Sequence, residues 1–204
     1  MEEEKEIEEL SISRDNAWEL VKKYNTHPQD LIHYLESEVV MRRLAEYLKH
    51  SPKKVEYWAM LGLLHDVDWG LTKDNSEEHL TKMPGILAEA GFPGNFIENI
   101  MSHGYGYPGL PNLKDKKRTE KVEFALAASE TITGLIHAYA LMRGNRVSDM
   151  EVKGLMKKFK DKAFASGVNR EIIKECEELG ITLEEFMKIA IDGIRDIKER
   201  VGLE

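Results

Sequence analysis

Seven histidines and a single cysteine, Cys176, set the chemistry open to this chain of 204 residues. One thiol cannot close an internal disulfide or build a paired-thiolate metal site, so any metal must rest on imidazole and carboxylate. His65 shares a helical face with Leu61 and Trp58, and its ring therefore enters an apolar interior. Asp66 follows it at once, and a carboxylate there needs a cation or several donors to offset its lost hydration. A divalent ion meets that need. The plainer reading of the dipeptide is a core hydrogen bond for His65 and a capped turn for Asp66. Two residues elsewhere favour the ion: His33, on another inward stripe, and Glu130, an acid inside the apolar run FALAASETITGLI. Nitrogen and oxygen ligands without thiolate suit Mn, Fe, Co, Ni or Zn, and several imidazoles suit Mg poorly.

The elements that must place these residues are helical throughout. Apolar positions recur at three, four and seven residues, and no alternating β-branched run is flanked by hairpin turns, so the expected fold is all-α. A short helix is expected from about Asp15 to Lys23. A longer one runs from about Gln29 to Lys49, with His33, Val40, Met41, Leu44 and Leu48 on one stripe. Ser51-Pro52 opens a third helix, apolar nearly all round, that ends in HDVDWG. Ser76 is the expected N-cap of a helix that Pro84 kinks or splits, and another spans Pro93 to Ser102 before the breaker-rich loop GYGYPGLPN. Thr119 caps a long apolar helix stopped by Gly144 and Asn145, with Glu130 in its middle. Later helices start at Ser148-x-x-Glu151, Asn169 and Thr182-x-x-Glu185. In the last one, Leu183, Phe186, Met187, Ala190, Ile194, Ile197 and Val201 form a stripe suited to core or homodimer packing.

His33, then LLHDVDW, then a carboxylate ahead of TGLI resembles the HD superfamily of metal-dependent phosphohydrolases, in particular its small bacterial and archaeal predicted hydrolases. The resemblance covers His33 to about Leu141, and the tail KKFKDKAFASGVNRE is also similar to theirs. It implies one HD-type domain over 1–204, with a core at about 28–141 and a helical extension at about 148–204. It also implies His33, His65, Asp66 and Glu130 as metal ligands, with Glu130 where the superfamily usually has Asp. Two-metal members, including the HD-GYP type, add two histidines between the His-Asp pair and the final acid. His79 and His103 match that order, which implies one or two ions per chain with Asp66 bridging a pair. Taken alone, His79 reads as an exposed first-turn residue and His103 as a helix C-cap. His27, His50 and His137 do not match, and His137 is read as packing or as support behind the site.

The activity so implied is hydrolysis of a phosphoester, in a nucleotide or another small phosphorylated metabolite, by metal-activated water, with Asp66 at its centre. Asp68 is expected to orient that water, to protonate the leaving group, or instead to cap the loop containing Trp69 and Gly70. Lys73 and the loop Tyr105 to Tyr107 are candidates for substrate contact. So are Lys153, Lys157 and Lys160, which share a helical face in an otherwise acidic chain, where the alternative is a solvated face. Two other functions fit the same ligands: a di-iron oxygenase of the myo-inositol oxygenase type, and a noncatalytic nucleotide- or metal-binding sensor. With 29 basic against 37 acidic residues, the net charge of −8 argues against duplex nucleic acid as a partner. No run approaching 20 apolar residues is evident, and the acidic start MEEEKEIEEL lacks the order of a secretory signal, so a cytoplasmic protein without a membrane partner is expected. A single glutamine, Gln29, and 32% charged residues lean toward a thermophile's composition.

Overall fold

The computed structural model describes residues 10–204; most of the acidic start lies outside them. Among the described residues the regular structure is helical, without strands, as the periodicity requires. The helices are α1 (Arg14–Tyr24), α2 (Pro28–Tyr47), α3 (Pro52–Leu64), α4 (Trp69–Thr72), α5 (Met83–Glu89), α6 (Gly94–Met101), α7 (Lys121–Met142), α8 (Val152–Lys160), α9 (Arg170–Lys174) and α10 (Leu183–Asp196). Short 3₁₀ segments fall at Ser76–Glu78, Ser102–Gly104, Glu175–Leu179 and Lys198–Val201.

α2 is the axis of the bundle. The sequence pattern suggests a single inward stripe, yet Tyr34 through Met41 are all buried, because α3, α7 and α10 cover the helix on different sides. Its buried acids are paired accordingly. Glu38 takes a two-pronged bond from Arg14 at 3.0 and 2.7 Å, and Glu36 accepts from His137 Nδ1 at 2.7 Å. α3 runs antiparallel to α2, with Arg42 against Glu56 at one end and His33 against His65 at the other. Between them, a Cβ on Gly62 would lie 2.5 Å from the Ser37 carbonyl oxygen, so the two backbones approach closely only because this residue is glycine. α7 runs in the same direction as α2, since His33 meets Thr133 and Glu36 meets His137.

α10 lies along α2 through Arg43 with Asp196 and Tyr47 with Glu185, and the buried apolar residues form one cluster that includes it. The C-terminal helices are therefore part of the core. Several expected boundaries move. Glu120 rather than Thr119 caps α7, in a capping box with Glu123. α8 starts at Val152, not after Ser148, because the backbone N–H groups of Val147 and Ser148 are held by the Glu204 carbonyl. Ser76 opens only a 3₁₀ turn, and Pro84 takes an early position in α5, where its missing N–H costs nothing. α7 is long and apolar enough to span a membrane by length and composition, with a mean hydropathy of 1.2, contrary to the reading of the sequence. Of that window, 61% is buried inside the bundle.

Candidate metal centre

α2 and α3 carry the first half of the site. His65 follows the last turn of α3 and is fully buried, and its Nδ1 lies 2.8 Å from the Gly62 carbonyl. A carbonyl only accepts, so Nδ1 carries the proton and Nε2 offers a lone pair. His33 Nδ1 lies 3.0 Å from Thr133 Oγ1, and that hydroxyl donates to the Glu130 carbonyl at 2.7 Å. Having spent its proton, Thr133 must accept from His33, whose Nε2 is likewise left bare. The two bare Nε2 atoms face each other at 3.0 Å.

The second half comes from the irregular stretch after α3. His103, in the 3₁₀ turn that ends α6, donates from Nδ1 to the Ile100 carbonyl at 2.7 Å. His79 follows the turn Ser76–Glu78, with Nδ1 at 3.3 Å from Asp68 Oδ1 and the edge of Trp69 against its ring. Leu80, next in the chain, has φ 64 and is buried against Gly104, so a left-handed residue redirects the chain here and leaves His79 facing inward.

All four Nε2 atoms surround the Asp66 carboxylate. Those of His79 and His103 lie 3.2 and 3.1 Å from Oδ1, and those of His65 and His33 lie 3.5 and 3.9 Å from Oδ2. Asp66 Oδ1 is buried without a hydrogen-bond partner. The donors thus form two triads that could each hold an ion, His33-His65-Asp66 and Asp66-His79-His103, sharing one carboxylate. Nδ1 tied outward and Nε2 turned inward, as in His33, His65 and His103, is the arrangement metal-ligating imidazoles adopt. With the bare Nε2 atoms of His33, His65 and His103 turned toward one carboxylate, the donor set fits a cation. Burial lowers the pKa of His65 to about 3, so it stands ready as a neutral ligand. Burial also opposes charge on His79, but Asp66 and Asp68 outweigh it and lift the imidazole to about 10. Burial likewise works against ionised Asp66, yet the imidazoles around it hold its carboxyl well below the usual range.

The remaining expected residues fall outside this ring of ligands. Glu130 was expected beside His33 and His65, but its oxygens belong to neither triad. Thr131 holds Oε1, and burial raises the carboxyl's pKa against the pull of His103 and His33. Asp68 has no exposed surface, and its Oδ2 accepts the N–H groups of Lys82 and Met83 at 3.1 and 3.0 Å. It holds the start of α5 and stands behind His79. Lys73 is exposed at the end of α4. Lys153, Lys157 and Lys160 are exposed on α8, which meets α7 at Tyr139, roughly 13 Å of helix beyond Glu130. Tyr105 is committed to Glu98, whereas Tyr107 is exposed.

Several positioning residues escaped the sequence reading. Asn25 is buried, donates to the Val67 carbonyl at 2.9 Å and accepts from Gly70 N–H at 2.8 Å, pinning the HDVDW turn. The Tyr34 hydroxyl lies 2.9 Å from both Asn25 Oδ1 and the Asp66 carbonyl. Arg118 reaches the carbonyls of Ser102, His103 and Tyr105 with Nη1, at 2.9, 3.3 and 2.9 Å, while Glu175 holds the rest of its guanidinium at 2.6 and 2.7 Å. The only signal available beforehand was Gly62, since a lone glycine inside an apolar helix is costly unless another backbone passes close by. Comparison with protein-family models, curated proteins and solved structures gave no match.

Proposed function

We propose that this chain is a metal-dependent phosphohydrolase that cleaves a phosphoester of a nucleotide or another small phosphorylated metabolite. The supporting observation is the convergence of four imidazole Nε2 atoms on the two oxygens of one partly buried aspartate. On this reading His33, His65 and Asp66 hold one ion, and Asp66, His79 and His103 a second, drawn from Mn, Fe, Co, Ni or Zn. Divalent ions held in such a pair lower the pKa of a bound water and polarise a phosphoryl oxygen.

The chain's own residues supply the rest. Asp66 fixes the spacing of the two halves, and the Nδ1 bonds of His33, His65 and His103 keep their rings from turning away. The edge of Trp69 packs against the His79 ring, and Leu80 beside it is buried. Glu130 Oε1 is held by Thr131, which leaves Oε2 to take a proton from the attacking water or return one to the leaving oxygen as the P–O bond breaks.

The test is elemental analysis of protein purified without chelator, followed by assays on phosphomonoesters and phosphodiesters with each ion restored. Stoichiometric metal with turnover that His65→Ala and Asp66→Ala abolish is the expected result. Metal-free protein, or hydrolysis untouched by those substitutions, overturns the proposal. Turnover that requires dioxygen identifies the oxygenase reading instead, and tight nucleotide binding without product identifies the sensor.

A further inference from the structure

The Glu36–His137 pair is not used by the ligand set above, yet it stands beside it. His33 with Thr133 and Glu36 with His137 are successive rungs between α2 and α7, and residues one turn apart on a helix lie about 5–6 Å from each other. Both rungs line one groove of about 220 Å³, whose other walls include Gln29, Ile32, Ala138 and Leu141.

The polar atoms of this groove can be assigned one by one. Both nitrogens of His33 are committed, Nδ1 to Thr133 and Nε2 to the metal centre. The Thr133 hydroxyl donates to the Glu130 carbonyl, and Glu36 accepts from His137. Among the groove-lining side chains this leaves two donors, the amide of Gln29 and Nε2 of His137. Hydrogen bonding to Glu36 raises the pKa of His137, so its ring favours the form with a proton on both nitrogens. Past His137 the wall turns apolar with Ala138 and Leu141, the latter 52% exposed although it is a large aliphatic residue.

We propose that the groove between α2 and α7 is a substrate subsite in which His137 Nε2–H donates to a phosphate or phosphoester oxygen while Ile32, Ala138 and Leu141 receive a planar or apolar body. The inference rests on the phosphohydrolase reading for its substrate class. Its ligand is a phosphoester carrying an aromatic or nucleobase-like group. His137 is then a substrate-binding residue, and Glu36 a positioning residue that acts through it.

The probes are p-nitrophenyl phosphate for turnover and inorganic phosphate for equilibrium binding, both with the metal-loaded full chain. His137→Ala is expected to raise KM, and the Kd for phosphate, by about tenfold, the loss of a charge-assisted hydrogen bond, with kcat changed far less. His137→Gln, which keeps a donor, is expected to recover part of that loss. Leu141→Ser is expected to weaken p-nitrophenyl phosphate by about threefold and leave inorganic phosphate alone. Metal content should stay at the wild-type value in all three. If His137→Ala strands Glu36 and unfolds, His137→Gln and Glu36→Gln carry the test, with Glu36→Gln expected to weaken phosphate binding at full metal occupancy. A wild-type chain that turns over no phosphoester defeats the phosphohydrolase reading but leaves the phosphate titrations to judge the groove. Phosphate Kd and KM unchanged across the His137 and Leu141 variants overturn the inference.

Discussion

His33 lies in a helix of 20 residues and His65 closes one of 13, whereas His79 follows one three-residue 3₁₀ turn and His103 lies in another. The first pair is placed by the hydrophobic core itself, through the close contact at Gly62 and the bonds to Gly62 and Thr133. The second pair stands on irregular backbone over buried Leu80 and Ile100, and polar contacts set its rings: Asp68 behind His79, and Arg118 on the carbonyls around His103. The two halves should therefore fail for different reasons, the first with the fold and the second without it.

The largest effect is expected where the halves meet. Asp66→Ala removes the carboxylate both triads share, so metal should fall to near zero at both positions and hydrolysis by about a thousandfold or more, read by elemental analysis and kcat. Gly62→Ala comes next and strikes the first half through the core. The added Cβ meets the Ser37 carbonyl, and overpacking of this kind costs about 1–3 kcal/mol. A lowered melting temperature together with a weakened first ion is expected; a variant as stable as the parent would show that α2 and α3 are not held this closely.

Arg118 tests the second half. Arg118→Lys keeps the charge but not the planar fork that spans carbonyls and Glu175, so one ion per chain should remain while affinity for the other falls by about 10–100-fold. Equal loss of both ions would erase the distinction between the halves.

The smallest effect is a matter of protons, and it differs in sign between the halves. In the metal-free chain His79, lifted to about 10, is protonated at neutral pH, and its ion must expel that proton, whereas His65, lowered to about 3, has none to lose. Calorimetry in buffers of different ionisation enthalpy should find proton release on filling the second triad, with affinity there rising as pH approaches 10. Stability follows the same logic. His79 holds its proton more tightly folded than unfolded, so its contribution is complete below the ordinary imidazole pKa of about 6.5 and is lost as pH climbs toward 10. His65 refuses a proton that the unfolded chain accepts, so its effect removes stability as pH falls from about 6.5 toward 3. Metal-free melting curves of His79→Gln and His65→Gln should lose these opposite slopes one at a time.

The same contrast explains what the sequence could reveal. His33, His65 and Asp66 were legible because helical periodicity puts them on buried faces, where a charged pair needs a reason. His79 and His103 were legible only through their order in the HD resemblance, since local sequence made them a first-turn residue and a cap. Arg118 ends the basic run KDKKR, which reads as solvated charge, and its clamp exists only after the chain folds back. Asn25 and Thr133 were hidden in the same way, one as a helix stop and the other as a small residue in an apolar helix. Glu130 was found, but its place beside the triads rather than within them depends on side-chain reach that spacing does not encode. The longer helices were legible in their order, but the short α4 was not, and the starts of α7 and α8 shifted where Glu123 and Glu204 offered better partners than Thr119 and Ser148.

Anomalous scattering from crystals of the metal-loaded chain tests the central claim most directly. The account predicts two peaks about 3.5–4 Å apart on either side of the Asp66 carboxylate, one against His33 and His65 and the other against His79 and His103. Density with no peak within bonding distance of Asp66, or ions bound only at the surface, would contradict it.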